Sequence, residues 1–537
     1  MANNSYDELP YDNLTHQFSH PTNTAVIARL KGLETPDIGR CRVLEIGCAA
    51  GANLLPLAMA YPDSEFVGVD LSGRQIEDGK KIVSELQLKN TELRQANLME
   101  IDESWGKFDY IICHGVFSWV PEEVQEGILA LCRRSLSSQG VAMISYNALP
   151  GWRLNQVVRD MLLFHTKQHE GSEKRVQQAR AMLEFLATNA AGQPNDAYQA
   201  LIGEVSKQLG TSSDAYLAHE YLEPHNTPVY FHEFAGRADA AGMQYLGDCR
   251  FGTMLDSDLP EATIETLRGI GQMEKEQYLD FLRNRRFRMS LLCHKEVTLK
   301  QQIDPQTIRH FHISLAKREN VVKHYDAEGE KISVRLNENN LTPSRAMTYA
   351  MLEILLERWP NPIAFGELHE MALSRLNIKA EQAIDIAAST MADDLMRLYI
   401  YGVVRIEDKP VIPAAPPSDN PVAYPLARIQ ARMNDVYVTN VRQDTARIDA
   451  ISKLIIQQLD GTMDTETLVR FVHNLLRSGK ASAHVNNKPV DPKTIDERQV
   501  RTLLDTILKR LGEMALLLDH TPQTAGKPEV TKQASAG

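Results

Sequence analysis

The chain has 537 residues, 24% charged and 43% hydrophobic, with a formal net charge of −12. This is the composition of an ordinary globular protein of several domains, and its acidity weighs against a nucleic-acid partner. No apolar run reaches the ~18 residues of a membrane span, the N-terminus lacks a signal-peptide core, and the six scattered cysteines form no C-x-x-C pair, so a cytoplasmic protein without membrane insertion, zinc site or disulfide framework is expected.

Taken in chain order, Val43–Ile46 reads as a buried strand, Gly47–Gly51 as a tight turn and Asn53–Tyr61 as a helix. Phe66–Val69 is a second strand, ending in Asp70, and a helix follows over Gly73–Leu86. Thr91–Ala96 reads as a third strand and Phe108–His114 as a fourth; after a helix over Glu122–Leu136, Gly140–Tyr146 is the fifth. Strands alternating with helices at this spacing imply βαβ units and a parallel sheet. The strand C-termini then carry Glu45–Gly51, Asp70, Asn97, His114 and Tyr146 to one edge, where open α/β sheets bind ligands.

Beyond Pro150-Gly151-Trp152 the pattern turns helical, over Asn155–His169, Glu173–Asn189 and a third stretch at 195–210. This insertion is suited to forming a homodimer or a lid. Val229–Phe231 is a short β-prone run. Gln244–Asp248 and Arg288–Val297 read as strands that complete the sheet as an antiparallel pair, with helices at 261–269 and 274–286 between them. The basic cluster Arg283–Arg288 reads as a solvated helix end rather than a nucleic-acid patch. His219, His225 and His232 lack metal-ligand spacing and read as surface or locally hydrogen-bonded groups. Helices over Arg345–Arg358, Ile363–Ala372 and Lys379–Arg397, closed by the β-rich Tyr399–Ile406, suggest a winged-helix-like module. Lys409–Pro425, with six prolines, reads as a stiff linker. Leu426–Leu518 is mostly helical, and Thr521–Gly537 reads as a disordered tail.

The turn Glu45-x-Gly47-x-x-x-Gly51 lacks the second glycine of the dinucleotide fingerprint, which a pyrophosphate needs for close approach to backbone. It resembles motif I of class I S-adenosylmethionine (SAM) methyltransferases, whose donor carries no phosphate. Glu45 is then placed to face the amino or ribose end of the donor, and Gly47 and Gly51 open the backbone to it. Asn53 either caps the helix or touches the donor. Asp70, followed by Leu71, suits the ribose diol, and Asn97-Leu98 sits where this fold contacts adenine. His114 orients the donor, acts as a base or hydrogen-bonds locally. His114–Pro121 contains neither the Asp/Asn-Pro-Pro-aromatic motif of base methyltransferases nor the clustered acids of metal-dependent O-methyltransferases.

The segment Tyr6–Pro21, the E-I-G-C-A-A-G turn, H-G-V-F-S-W-V-P at His114–Pro121 and Tyr146–Trp152 together resemble a bacterial family of class I methyltransferases with a methyltransferase regulatory domain. Ala218–Leu222, Pro425–Arg428 and Val438–Asn440 extend the likeness over most of the chain. The best-understood members of that family methylate lysines of outer-membrane proteins. The resemblance implies a Rossmann-like seven-stranded α/β sheet with a helical insertion, followed by winged-helix-like and mostly helical C-terminal domains. It implies SAM as cofactor and a protein substrate, in the leading case an outer-membrane protein. By the same resemblance Tyr6 and Tyr11 fold over the donor, while Phe117, Trp119, Tyr146 and Trp152 line the acceptor channel. Tyr11, His114, Trp119 and Tyr146 are thus the catalytic candidates. The expected division is a core over 1–165 and 216–298, split by a helical insertion at 166–215. A winged-helix-like domain over 299–410, a mostly helical domain over 411–520 and a tail over 521–537 follow. A small-molecule N- or O-methyltransferase and a non-catalytic SAM-binding scaffold are the alternatives.

Overall fold

The computed structural model describes residues 5–10, 14–189, 196–326, 329–336, 339–410, 412–433, 436–482, 484–485, 488–489 and 495–519. Its described residues divide into two compact units, one within Met1–Leu54, Phe66–Lys80 and Glu92–Pro410, the other within Leu55–Glu65, Lys81–Thr91 and Val411–Gly537.

In the first unit, α1 (Ser5–Glu8) and α2 (Pro21–Leu30) precede β1 (Arg42–Ile46). After α3 (Leu55–Ala60) come β2 (Glu65–Asp70), α4 (Gly73–Glu85), β3 (Thr91–Gln95), β4 (Phe108–Cys113), α5 (Glu122–Ser135) and β5 (Leu136–Asn147); α3 and the end of α4 fall in the second unit. With β6 (Met243–Asp248) and β7 (Phe287–His294) they make one seven-stranded sheet, in the order β3-β2-β1-β4-β5-β7-β6. β1 and β4 pair parallel, as do β4 and β5, while β7 runs antiparallel between β5 and β6. β1 is buried from Val43 onward, as a strand covered on both faces must be. The strand order reverses beside β1, so the β1 turn opens into the crevice at the sheet's C-terminal edge.

Helices α6 (Arg153–Thr166), α7 (Ser172–Asn189), α8 (Ala197–Gly210) and α9 (Asp214–Tyr221) share one core, built on Leu162, Leu183, Val205 and Leu217. Next come α10 (Phe231–Ala240), α11 (Glu261–Leu267) and α12 (Gln272–Arg283). The β-prone run at 229–231 is not a strand. Val229 makes a single bridge to Ala148, and Phe231 opens α10, where the Tyr230 backbone N–H is bonded by the Glu233 carboxylate at 3.0 Å. That capping contact overrides the local β-propensity.

The basic cluster is used internally. Arg288 is fully buried on β7, with Nε 2.8 Å from Asp280 Oδ2 and Nη2 2.9 Å from Glu276 Oε2, and its guanidinium lies 4.0 Å from the Phe231 ring centre. Beyond the sheet, β8 (His312–Leu315) is followed by the ribbon β9 (Val321–Asp326), β10 (Gly329–Leu336) and β11 (Asn339–Leu341). Then come α13 (Ala346–Arg358), β12 (Ile363–Ala364), α14 (Phe365–Arg375), α15 (Glu381–Ile400) and β13 (Val404–Glu407), with β12, β8 and β13 forming a three-stranded sheet.

In the second unit, β14 (Val422–Ala423) and the terminal β19 (Leu517–Leu518) pair antiparallel. Among its helices are α16 (Pro425–Arg432), α17 (Ala450–Ile456), α18 (Thr465–Arg477) and α19 (Glu497–Glu513). The proline-rich stretch is not a free linker. Ala414, Ala415, Val422, Ala423 and Tyr424 are buried, and the Ala415 N–H donates to the Leu517 carbonyl at 2.9 Å. Nor is this unit made of 411–520 alone, because Leu55, Ile82 and Leu86 belong to its core. Apolar residues scattered over three sequence segments are joined only by folding.

Removing Asp280 should leave the Arg288 charge buried and half-paired. Asp280→Ala is expected to cost about 3–5 kcal/mol, and Arg288→Met, which leaves the Glu276 and Asp280 carboxyls buried without their shared cation, at least as much. Urea titration of both variants checks the ordering.

Candidate active site

The turn after β1 is held in a shape that requires glycine. Gly47 and Gly51 have φ of +73° and +81°, and Ala49 between them is at +49°. A Cβ on Gly47 would also sit 2.5 Å from Val116 Cγ2. The Gly47 and Cys48 N–H groups donate to the Val69 carbonyl at 2.8 and 3.1 Å. Asp70 closes two turns at once, accepting from Ala49 N–H at 2.9 Å and from Ser72 N–H at 2.8 Å. Burial pushes its carboxyl up from the usual range, while those backbone donors pull it back. Each oxygen keeps lone pairs for further donors. The Ala96 N–H bonds the Asp70 carbonyl at 3.1 Å, which brings Asn97 and Leu98 to the same edge. Asn97 Oδ1 accepts from Met99 N–H at 3.0 Å, and Leu71 is 62% exposed at the rim.

Asn53 neither caps its helix nor stays available to a ligand. Its Oδ1 accepts from His16 N–H at 2.8 Å and from His20 Nε2 at 2.7 Å, and its Nδ2 donates to Ser19 Oγ at 3.0 Å and Glu45 Oε1 at 2.8 Å. All four of its hydrogen-bonding positions are taken within the protein, so Asn53 is a positioning residue. Glu45 is 3% exposed, and its Oε2 has no hydrogen-bond partner among the described residues. Burial pushes its carboxyl up to about 8, with the nearby Asp70 charge adding to the rise and the Asn53 bond opposing it.

The N-terminal segment straps across this edge. Asp7 Oδ1 accepts from Ser72 Oγ at 2.6 Å, and the Asp7 carbonyl accepts from Arg74 Nη1 at 2.7 Å. Ser172 Oγ donates to Glu8 Oε2 at 2.8 Å, and His219 Nε2 donates to the Leu9 carbonyl at 2.7 Å. Tyr6 lies in α1; Tyr11 lies outside the described residues. Asp7, His16, Ser19, His20, Ser72 and His219 were not singled out by their spacing. Their partners are distant in sequence; the crowding of polar and aromatic groups over Tyr6–Pro21 signalled Asp7, His16, Ser19 and His20, and nothing signalled Ser72 or the bond from His219 to Leu9.

At the end of β4, the His114 ring packs 4.2 Å from His16 and 5.9 Å from Phe287, with Nδ1 unpartnered among the described residues. Burial, reinforced by His16, lowers His114 to about 3, and burial with His20 lowers His16 to about 4. Both are neutral at pH 7, and a base that weak takes up almost no proton there. An added Cβ on Gly115 would meet nothing within 4 Å, so the turn borders open space. Trp119 and Trp152 meet edge to face with centroids 6.4 Å apart. Tyr146 and Phe117 do not line a channel. They are 1% and 0% exposed; Tyr146 stacks on Phe234 at 4.2 Å, and its hydroxyl bonds Ser290 Oγ at 3.0 Å. Strand alternation sends Tyr146 to the helix-covered face of β5, which rules out its catalytic role. The edge thus joins Glu45, Gly47, Gly51, Asp70 and His114 through Asn53 and His16, and leaves Tyr146 in the core.

Three families match parts of the chain: the methyltransferase domain over residues 43–140, the predicted methyltransferase regulatory domain over 213–294 and the PKMT C-terminal winged helix domain over 419–516. An uncharacterised protein of Rickettsia prowazekii (strain Madrid E) is 32% identical over 96% of this chain and 94% of its own length. A second from the same organism is 42% identical over 44% of this chain and 93% of its own. PKMT2 from Rickettsia typhi is 31% identical, with a TM-score of 0.83 over 95% of this chain and 100% of its own. The same protein in complex with AdoHcy gives a TM-score of 0.84 at 30% identity.

The elevated Glu45 carboxyl has a sign that can be checked without ligand. With a folded value of about 8 against the ordinary 4.5, the stability it permits is complete below 4.5 and is lost as pH rises toward 8, by up to about 1.4 kcal/mol per pH unit. Glu45→Gln should therefore gain on the wild type steadily between those limits. Urea midpoints at pH 5 and pH 8 that differ equally for the two proteins would refute it.

Proposed function

Since this chain belongs to the PKMT family of S-adenosylmethionine-dependent methyltransferases, we propose that its acceptor is the ε-amino group of lysine side chains in a protein. An outer-membrane protein is the acceptor class we assign within that reading. No helix among the described residues is long and apolar enough to cross a membrane, and we assign the enzyme to the cytoplasm. Self-association would use the helical unit, where Phe164 and Phe185 are 84% and 58% exposed.

The observation that carries the donor side is the Oε2 of buried Glu45, unpartnered among the described residues, beside a turn in which Gly47 is exposed. When bound, the donor supplies a methyl group on a sulfonium cation, activated for displacement by an amine. Glu45 Oε2 is suited to pair with the donor's ammonium, and the spare lone pairs of Asp70 with its ribose hydroxyls. Gly47 and Gly51 admit it to the backbone; Leu71, Asn97 and Leu98 flank its base. Asn53 sets the Glu45 rotamer, and α1 closes the edge and excludes water.

The acceptor side is supported by the two tryptophans at the ends of β4 and β5. Their faces suit the aliphatic stem of lysine and the cation at its tip. The amine must reach the methyl group without its proton. The neutral His114–His16 pair offers no strong base, so deprotonation rests on desolvation, which lowers the pKa of a buried ammonium, with the proton passing to solvent. His114 acts as a neutral hydrogen-bonding and positioning group.

Incubation with labelled SAM and lysate, followed by hydrolysis of the labelled protein, tests the reading, and methyl-lysine is the expected product. Label confined to small molecules would favour a metabolite methyltransferase, and donor binding without any labelled product a scaffold. Asp70→Ala should weaken SAM binding by about 1.5–3 kcal/mol, measured by calorimetry. Unchanged affinity would remove Asp70 from the site.

A further inference from the structure

A set of polar groups that the donor side does not use converges where β5 ends and α6 begins. Asn147, Trp152, Asn155 and Arg159 are 2%, 5%, 5% and 2% exposed. Yet Asn147 Nδ2, Trp152 Nε1, Asn155 Oδ1 and Arg159 Nε and Nη1 have no hydrogen-bond partner among the described residues, nor do Nδ2 and Oδ1 of Asn226. Trp152, Asn155 and Arg159 follow each other at spacings of three and four, on one helical face. The Arg159 guanidinium lies 5.9 Å from the Trp119 ring centre, itself 6.4 Å from Trp152. Ser118 ties in the rest, its Oγ accepting from Asn147 N–H and its carbonyl from the N–H of Thr227, next to Asn226, both at 2.8 Å.

A buried polar atom without a partner costs about 1–3 kcal/mol, so several in one place point to a group that completes them. The set is rich in donors: Arg159 Nε and Nη1, Asn147 Nδ2, Trp152 Nε1 and Asn226 Nδ2 donate, while only Asn155 Oδ1 and Asn226 Oδ1 accept. Among the described residues the guanidinium is bonded from Nη2 to the Glu223 carbonyl. Asp160, Glu223 and Glu220 favour its charge through space, but none bonds Nε or Nη1. A desolvated cation among free N–H donors selects an anion.

We propose that Arg159, with Asn147, Asn155 and Asn226, binds a carboxylate side chain of the acceptor polypeptide beside the lysine to be methylated, which makes the enzyme selective for lysine flanked by Asp or Glu. This rests on the lysine reading above. It gives the helical unit a role in acceptor choice, because α6 carries the selecting residues.

The test uses two acetylated, amidated peptides, each with one Lys, flanked by Glu in the first and by Gln in the second. Binding is read by tryptophan fluorescence with the full-length protein and saturating S-adenosylhomocysteine. The wild type should bind the Glu peptide about tenfold more tightly. Arg159→Gln should abolish the difference while keeping its melting temperature and S-adenosylhomocysteine affinity. Asn155→Asp, which offers Arg159 an internal carboxylate, should abolish it too and serves if the first variant does not fold. Equal binding of the two peptides by the wild type, no binding of either, or a preference that survives both variants overturns the proposal. Turnover is scored separately. Equal methylation of both peptides would reject this site and keep the lysine reading; Glu-selective binding without methyl-lysine would do the reverse.

Discussion

The Asn53 side chain is the constraint on which the donor edge depends. One amide accepts from His16 and His20 and donates to Ser19 and Glu45, joining the chain before α2 to the strand that carries the buried carboxyl. Without it, Glu45 would have neither oxygen satisfied, and His20, fully buried, would lose its short bond. A buried amide with every position filled is rigid, since any rotation breaks several bonds at once. That rigidity holds Glu45 Oε2, which has no hydrogen-bond partner among the described residues, in a fixed place.

The same logic explains why the N-terminal segment matters to a sheet it does not join. Residues 7–9 make polar contacts both to the turn after β2, through Ser72 and Arg74, and to the helical unit, through Ser172 and His219. A short segment has no core of its own, so its position follows from these polar contacts and from Leu9, which packs against the core of the helical unit. His219 lies in the region matched by the regulatory domain. It gives that region a direct mechanical link to the strap over the donor edge.

The acceptor side contrasts aromatic groups that are satisfied with polar groups that are not. Tyr146 and Phe117 pack with Phe234 into the core and hold β5 against α10. Trp119 and Trp152 sit one step further along the chain, where the strands have ended and helix-covered packing gives way to unpaired N–H groups. Residues of one chemical type therefore sit in different surroundings: the alternation of β5 places Tyr146 in the core, while Trp119 and Trp152 lie beyond the ends of β4 and β5.

The sheet was legible because its signals are local. Buried apolar runs, the Gly47–Gly51 turn and Asp70 after β2 lie within short windows whose periodicity dictates strand, turn and strand. Positive φ at Gly47 and Gly51 is what a residue without a Cβ permits, so the turn could be read from its composition. The roles of Asn53, Tyr146 and Arg159 could not. Asn53 is defined by partners on two other segments, Tyr146 by which face of β5 it occupies, and Arg159 by buried guanidinium nitrogens without a hydrogen-bond partner among the described residues. The proline-rich stretch at 409–425 reads as a linker in isolation and becomes part of a core once Leu517 and Leu518 return to pair with it. Sequence alone determined the strands of the seven-stranded sheet and the glycine turn after β1, since these follow from local backbone preference and period. Tertiary structure decided which polar groups are satisfied and which are left for a ligand, since hydrogen-bond satisfaction depends on residues that only folding brings together.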